Sequence, residues 1–252
     1  MFRLGLKLWS TNEYYKAEAL RLFKKGVCDY IELYAVPNSY LRYINIWSKL
    51  EIPFVIHAPH FLGGGLNLAK KECKRKNLKL IKEAQQFADK LKADKIIVHP
   101  GIDGDIKETT RQLQFINDSR ILIENLPYYS IKNNLMCNGA TIEELNWIFN
   151  NCPVGFCLDI GHAIYAANAQ KVNPLNYLKQ LIQLKPNIYH LVDGNYSGVH
   201  DRHDHFGKGS FPLEDIIALL PSDAMITIET KKDSPHNLNG FIEDIKLLKS
   251  YL

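Results

Sequence analysis

At 252 residues the chain has the length of one α/β barrel, and it is read as a single domain over residues 1–252. Its 46% hydrophobic and 23% charged residues suffice for a full core without disulfides, and no segment approaches the roughly 20 apolar residues of a membrane span. The net charge of +4, from 31 basic against 27 acidic residues, mildly favours a polyanionic partner but is far from that of a dedicated nucleic-acid binder.

The first strand is expected over Phe2–Leu8, in a segment already too polar for a signal peptide. A helix follows over Tyr14–Lys25, with Ala17, Leu20 and Phe23 at helical spacing. Tyr30–Tyr34 reads as a strand, Tyr40–Leu50 as a helix and Phe54–His57 as the third strand, before a loop with Gly63, Gly64 and Gly65. The long helix Lys71–Leu91 carries Leu78, Ile81, Ala84, Ala88 and Leu91 on one face. Strand Lys95–His99, a helical piece at Arg111–Phe115 and strand Ile121–Glu124 come next. A capping box, Thr141 with Glu144, starts helix Thr141–Asn150. Phe156–Asp159, Ile188–Val192 and Met225–Glu229 are the last strands, interleaved with helices Pro174–Leu184, Leu213–Leu220 and Leu238–Leu252. Eight βα units in this order predict an α/β fold, a (β/α)₈ TIM barrel. The five cysteines (Cys28, Cys73, Cys137, Cys152, Cys157) form no CxxC pair, and Cys157 reads as a core thiol. That usage points to a reducing, cytoplasmic setting without membrane contact.

Six of the apolar runs end on a residue that binds metals: FVIH at His57, IIVH at His99, ILIE at Glu124, FCLD at Asp159, NIYH at His190 and MITIE at Glu229. Burying an unpaired polar group costs several kcal/mol, roughly 2–7 even when it is neutral. Singly, each would be a hydrogen-bonded strand terminus; six at successive strand ends point to one mouth of a barrel. His162 follows Asp159 by three residues in LDIGHA, and the loop DRHDHFGKG adds Asp201 and His203, placed on one face if that segment is extended. Four carboxylates and five histidines exceed the three or four ligands of one zinc ion and suit two or three ions, with Zn²⁺, Mn²⁺ or Fe²⁺ favoured by so many imidazoles. His60, His200, His205 and His236 are read as lying outside this set, and Glu32 in YIELY as a supporting group.

VIHAPH, IIVHPG, ILIEN, CLDIGHA, HLVDG, DRHDHFGKG and TIET resemble, in the same order, the metal motifs of the endonuclease IV (apurinic/apyrimidinic endonuclease family 2) group of the xylose-isomerase-like barrels. The resemblance runs from about Tyr30 to Glu229, and DRHDHFGKG is its most specific piece. It implies that His57 and His99 hold one ion, that Glu124 bridges it to a second held by Asp159, His190 and Glu229, and that His162, Asp201 and His203 hold a third. It further implies a hydrolase that cleaves DNA at abasic sites, with Glu124 and Glu229 in the catalytic set. The segment YAVPNSYLRYINIW lacks the family's Asn-Pro-Arg-type motif, and His60 stands where the family carries an aromatic, so a small phosphate ester is the other substrate class kept. The alternative is a single-metal sugar or sugar-phosphate isomerase or epimerase, in which Glu124 and Glu229 move protons beside a carbonyl while Asp159 and His190 share the metal.

Overall fold

All eight predicted strands form, and they pair in chain order into one closed parallel barrel. A computed structural model describes all 252 residues. The elements are β1 (Arg3–Trp9), α1 (Lys16–Lys24), β2 (Tyr30–Tyr34), α2 (Tyr40–Trp47), β3 (Phe54–His57), α3 (Phe61–Gly64), α4 (Lys74–Leu91), β4 (Ile96–Val98), α5 (Ile106–Ile116) and β5 (Ile121–Glu124). They continue with α6 (Ile142–Asn151), β6 (Gly155–Asp159), α7 (Ile160–Ala169), α8 (Pro174–Ile182), β7 (Ile188–Leu191), α9 (Leu213–Ala218), β8 (Met225–Ile228) and α10 (Asn239–Ser250). The ring closes where Arg3 to Leu6 of β1 pair in register with Met225 to Ile228 of β8.

Strand alternation divides the core in two. Outward residues such as Leu6, Leu33, Ile56 and Ile228 join the helices in the larger apolar cluster. Inward, Tyr30, Val55, Ile97, Leu122, Cys157 and Ile188 form a separate plug inside the barrel, which places Cys157 in the core as predicted. At Gly5 the inward place is taken by the Tyr30 ring, with which any Cβ there would collide. All five cysteines are free.

Several elements differ from the sequence reading. His99 and Glu229 lie one residue past β4 and β8, because the ladder hydrogen bonds end at the barrel mouth. Helix α1 buries Ala19 and Leu22 behind Tyr15, while Ala17 is exposed, so its inner face is turned from the one expected. Helix α4 buries Asn77, Leu80 and Phe87 beside Ile81, Ala84 and Ala88; Leu78 and Leu91 are only partly covered. Helix α5 begins earlier than predicted, with Asp105 capping it by accepting the Lys107 N–H at 2.9 Å. Thr141 caps α6 as predicted, but the Glu144 carboxylate reaches further back, to the N–H groups of Gly139 and Ala140. Helices α3 and α7 have no counterpart in the sequence reading. Helix α7 is apolar on nearly every side (IGHAIYAANA) and buried, so it carries no amphipathic period to read.

Candidate metal centre

The site rests on the same alternation that builds the plug. Two residues above Val55, Ile97, Leu122, Cys157 and Ile188 come His57, His99, Glu124, Asp159 and His190. A two-residue step returns the side chain to the inner face, so the polar tier sits directly on an apolar floor. The rule extends to the first two strands: Glu32, read from the sequence as a supporting group, stands two above Tyr30, and Lys7 two above Gly5. Glu229 stands two above Thr227, and all eight strands thus contribute.

Glu124 is the hub. Its Oε2 lies 3.0 Å from His57 Nε2 and 3.1 Å from His99 Nε2, while its Oε1 lies 3.3 Å from His162 Nδ1 and 3.4 Å from His190 Nδ1. The donor atoms of His57, His99 and Glu124 lie within 4.8 Å of one another, as do those of Asp159, His190 and Glu229 and those of Glu124, Asp159 and His162. Asp201 Oδ2 is 2.6 Å from His203 Nε2 and 3.6 Å from His162 Nε2. The nine residues named from the sequence therefore converge on one place. The local route differs at His203, whose φ of 53° is left-handed, so the Asp-x-His segment turns sharply instead of running extended.

Supporting groups orient the rings. Ring nitrogens of His57, His162 and His203 lie 2.6–2.9 Å from the backbone carbonyls of Ala58, Asn125 and Glu229, and His190 Nε2 lies 3.0 Å from Glu32 Oε2. Each contact turns the other ring nitrogen toward the centre. Asp159 caps α7 by accepting the His162 N–H at 2.6 Å, which is why Asp and His are three residues apart. Asp193 organises the DRHDHFGKG loop: Oδ1 accepts from Gly194 and Phe211 N–H, and Oδ2 from Gly207 and Gly209 N–H. Gly209 packs so closely on Asp193 and Gly194 that a Cβ would collide with both. Asp193→Ala is expected to lower unfolding stability by about 3 kcal/mol or more, since four N–H donors lose a charged acceptor; chemical denaturation measures it, and unchanged stability would show that the loop is held otherwise.

The donor set fits divalent cations. Asp159 Oδ2, Asp201 Oδ1 and His190 Nδ1 are buried without a hydrogen bond; the last is 3.1 Å from Glu229 Oε1 but badly aligned. The carboxylates favour positive charge here: despite burial, which lowers it, His203 is pushed up to about 9 by Asp201, and His162 is raised well above the usual imidazole range by Asp159 and Asp201. Asp159 is pushed up to about 6 by burial and the nearby Glu124. The sequence reading missed Lys7, whose ammonium lies 2.5 Å from both Glu32 Oε1 and Glu229 Oε1. Its signal was the position two after Gly5 in β1. Glu32 is fully buried and also accepts from Thr227 Oγ1 at 2.6 Å, consistent with a supporting role. Lys7 is shared between Glu32 and Glu229, so the five carboxylates around the centre outnumber this one ammonium and leave negative charge for cations.

A cavity of about 580 Å³ opens above the centre. One wall is apolar, from Phe61, Leu62, Leu126 and Ile131; Arg202, Lys231 and Lys232 line another part. His60 caps α3 by accepting the Gly63 N–H on Nδ1 and lines the cavity without joining the donor groups.

No helix is long and apolar enough to cross a membrane. A protein of Sulfurihydrogenibium named probable endonuclease 4 is 27% identical over 84% of this chain and 82% of its own length. An uncharacterized protein of Methanocaldococcus jannaschii is 23% identical over 87% of this chain and 76% of its own. In fold, the chain is similar to endonuclease IV of Thermus thermophilus, with a TM-score of 0.74 and 22% identity over 99% of this chain and 98% of that one. It is equally similar to a D-tagatose 3-epimerase-like protein, with a TM-score of 0.73 and 20% identity over 99% and 96% of the two chains. Residues 42–251 match the family described as xylose isomerase-like TIM barrel. With its closed eight-stranded barrel, the chain belongs to that family.

Proposed function

We propose that the protein is a metal-dependent phosphodiester hydrolase of the endonuclease IV type, cleaving DNA at abasic sites. One observation carries the reading: Glu124 divides its two oxygens between His57 and His99 on one side and His162 and His190 on the other. A carboxylate so placed could bridge two ions, a role that a single-ion site would not use. His57, His99 and Glu124 would hold a first ion; Glu124, Asp159, His190 and Glu229 a second; His162, Asp201 and His203 a third. Zinc-class ions in such a set lower the pKa of water toward neutrality and neutralise the charge on a phosphoryl group.

The protein's own residues supply positioning and charge. Glu124 stays ionised because the surrounding imidazoles outweigh its burial, and it orients the attacking water by accepting its proton in a hydrogen bond. The water oxygen forms a bond to phosphorus as the bond to the leaving oxygen breaks, and the water's proton passes to the departing alkoxide through solvent. Glu229, with burial offset by His190 and Lys7, is held at about 2 and is a carboxylate at every working pH. Arg202, Lys231 and Lys232 line the wall, and although the first two share Asp204, the three cations leave net positive charge where a phosphate would enter.

Asp159, His190 and Glu229, grouped within 4.8 Å, also make a complete one-ion site, and this supports the epimerase reading with Glu124 and Glu229 as the acid–base pair. That reading leaves His57, His99, His162, Asp201 and His203 without a common purpose. The tests are metal content and substrate. Purified protein should carry two or three ions per chain, nick a duplex holding one abasic site, and lose both thermal stability and activity with chelator. A reproducible single ion, or interconversion of ketoses without cleavage of any phosphodiester, would transfer the assignment to the epimerase.

A further inference from the structure

The charge of this chain is unevenly placed. Residues 70–82 hold seven basic side chains against one acidic, Glu72, whereas the rest of the chain has 24 basic and 26 acidic residues. The whole of the positive excess therefore lies on the first half of α4 and the turn before it, and the rest of the chain is slightly acidic. Of the seven, only Lys70 is in an ion pair, with Asp103; Lys74 lies over the Phe115 ring. Lys71, Arg75, Lys76, Lys79 and Lys82 are exposed. Arg75, Lys79 and Lys82 share one helix face, opposite the buried Asn77, Leu80 and Ile81.

This surface is rigid and adjoins the cavity. Asn77, fully buried, accepts the Asn67 N–H at 2.9 Å and donates to Asn67 O at 2.7 Å and Gln112 Oε1 at 2.8 Å, which ties α4 to the loop leaving the barrel mouth. The Lys76 ammonium packs over Gly65, where a Cβ would collide with it; Gly65 ends α3, whose Phe61 and Leu62 line the cavity. Across the eight-stranded ring from β3, the loop after β7 presents Arg202 and the segment after β8 presents Lys231, two cations that share the one carboxylate of Asp204. Cations thus flank the mouth on opposite sides.

We infer that the exposed face of α4 from Lys71 to Lys82 is a docking surface for the phosphate backbone of duplex nucleic acid lying across the barrel mouth. Because α4 runs antiparallel to β3 and β4, Lys71 and Arg75 stand at the mouth end of the helix and Lys82 about 10 Å below it, on the flank that a duplex overhanging the rim would meet. Unpaired cations on a fixed helix neutralise a polyanion without reorganising, and the metal centre lies between the two flanks. A sugar or a lone phosphate ester would reach none of these residues from the cavity. The choice of a nucleic acid over another polyanion rests on the phosphodiester reading above; the cationic surface does not.

The test uses the full chain with chelator present, so that cleavage does not interfere, and a fluorescent duplex of roughly 20 base pairs titrated at several salt concentrations. The comparison is with the triple variant Arg75→Gln, Lys79→Gln, Lys82→Gln, whose replacements are exposed and keep helix propensity. Wild type should bind, and the variant should bind at least about 10-fold more weakly near 0.1 M salt, with the slope of log K against log salt shallower by about 2–3. Equal affinity and slope would overturn the proposal, as would wild type binding vesicles of anionic phospholipid but not DNA. Hydrolysis of a small aryl phosphodiester by both metal-loaded proteins separates the two conclusions. If both hydrolyse it and DNA binding is unchanged, only the docking surface fails. If neither does, the hydrolase reading fails, and the binding comparison still decides the surface.

Discussion

Replacing Glu124 with Gln is expected to lower phosphodiester hydrolysis at least about 10³-fold, well beyond the 10–100-fold cost of losing a supporting group. The substitution keeps shape and removes charge, so its effect isolates what the carboxylate does. An amide has one acceptor oxygen, and its NH₂ would face the imidazoles on one side of the present hub. Either the His57–His99 side or the His162–His190 side then loses its shared oxygen. Elemental analysis should accordingly show at least one ion fewer per chain. A Glu124→Gln variant with undiminished ion content and turnover would remove the bridging role, and with it the main support for a cluster.

Lys7→Met is expected to destabilise the protein by about 3 kcal/mol, the low end of the cost of stripping a buried charge of its partner. The low end applies because Glu32, fully buried, keeps Thr227 as a donor at 2.6 Å and His190 as a neighbour at 3.0 Å. Adding Glu32→Gln should restore most of the loss, since the charge needing a partner is then gone. Denaturant melts with chelator present measure both variants without a contribution from bound ions. If Lys7→Met melts like wild type, or the second substitution rescues nothing, Lys7 is not what balances the buried charge of Glu32. The double variant should also keep the wild-type ion count, because it leaves the other four carboxylates in place.

The barrel was legible because its signals are local. Each strand is a short apolar run, helical stretches separate the eight runs, and a ligand at the end of a run stands out against the cost of burying it. His57, His99, Glu124, Asp159, His190 and Glu229 could all be read this way. His162 was legible by its place three residues after Asp159 in LDIGHA, and Asp201 with His203 through an uncommon motif. Lys7 was not, because it lies inside β1 and is followed by Leu8 and Trp9, so no run ends on it. A lysine within a strand reads as an outward residue until the barrel closes and assigns it to the inner face. Helix α7 was hidden for the opposite reason, since a segment buried on all sides has no polar face to mark its period. The basic first half of α4 vanished into a near-neutral total, because net charge averages over the whole chain.

The sequence by itself determined the fold class, the order of the eight βα units and the identity of nine candidate ligands, since each depends on residue type and short-range spacing. Only the tertiary structure decided how those residues meet. Closure of the ring brings β1 beside β8 and so sets Lys7 against Glu229, 222 positions away. It also gives Glu124 neighbours on both of its oxygens, and it gathers the cations of α4 and of the segments after β7 and β8 around one mouth. Those relations depend on distance across the barrel, which parallel pairing through long crossovers creates and which no local pattern in the chain encodes.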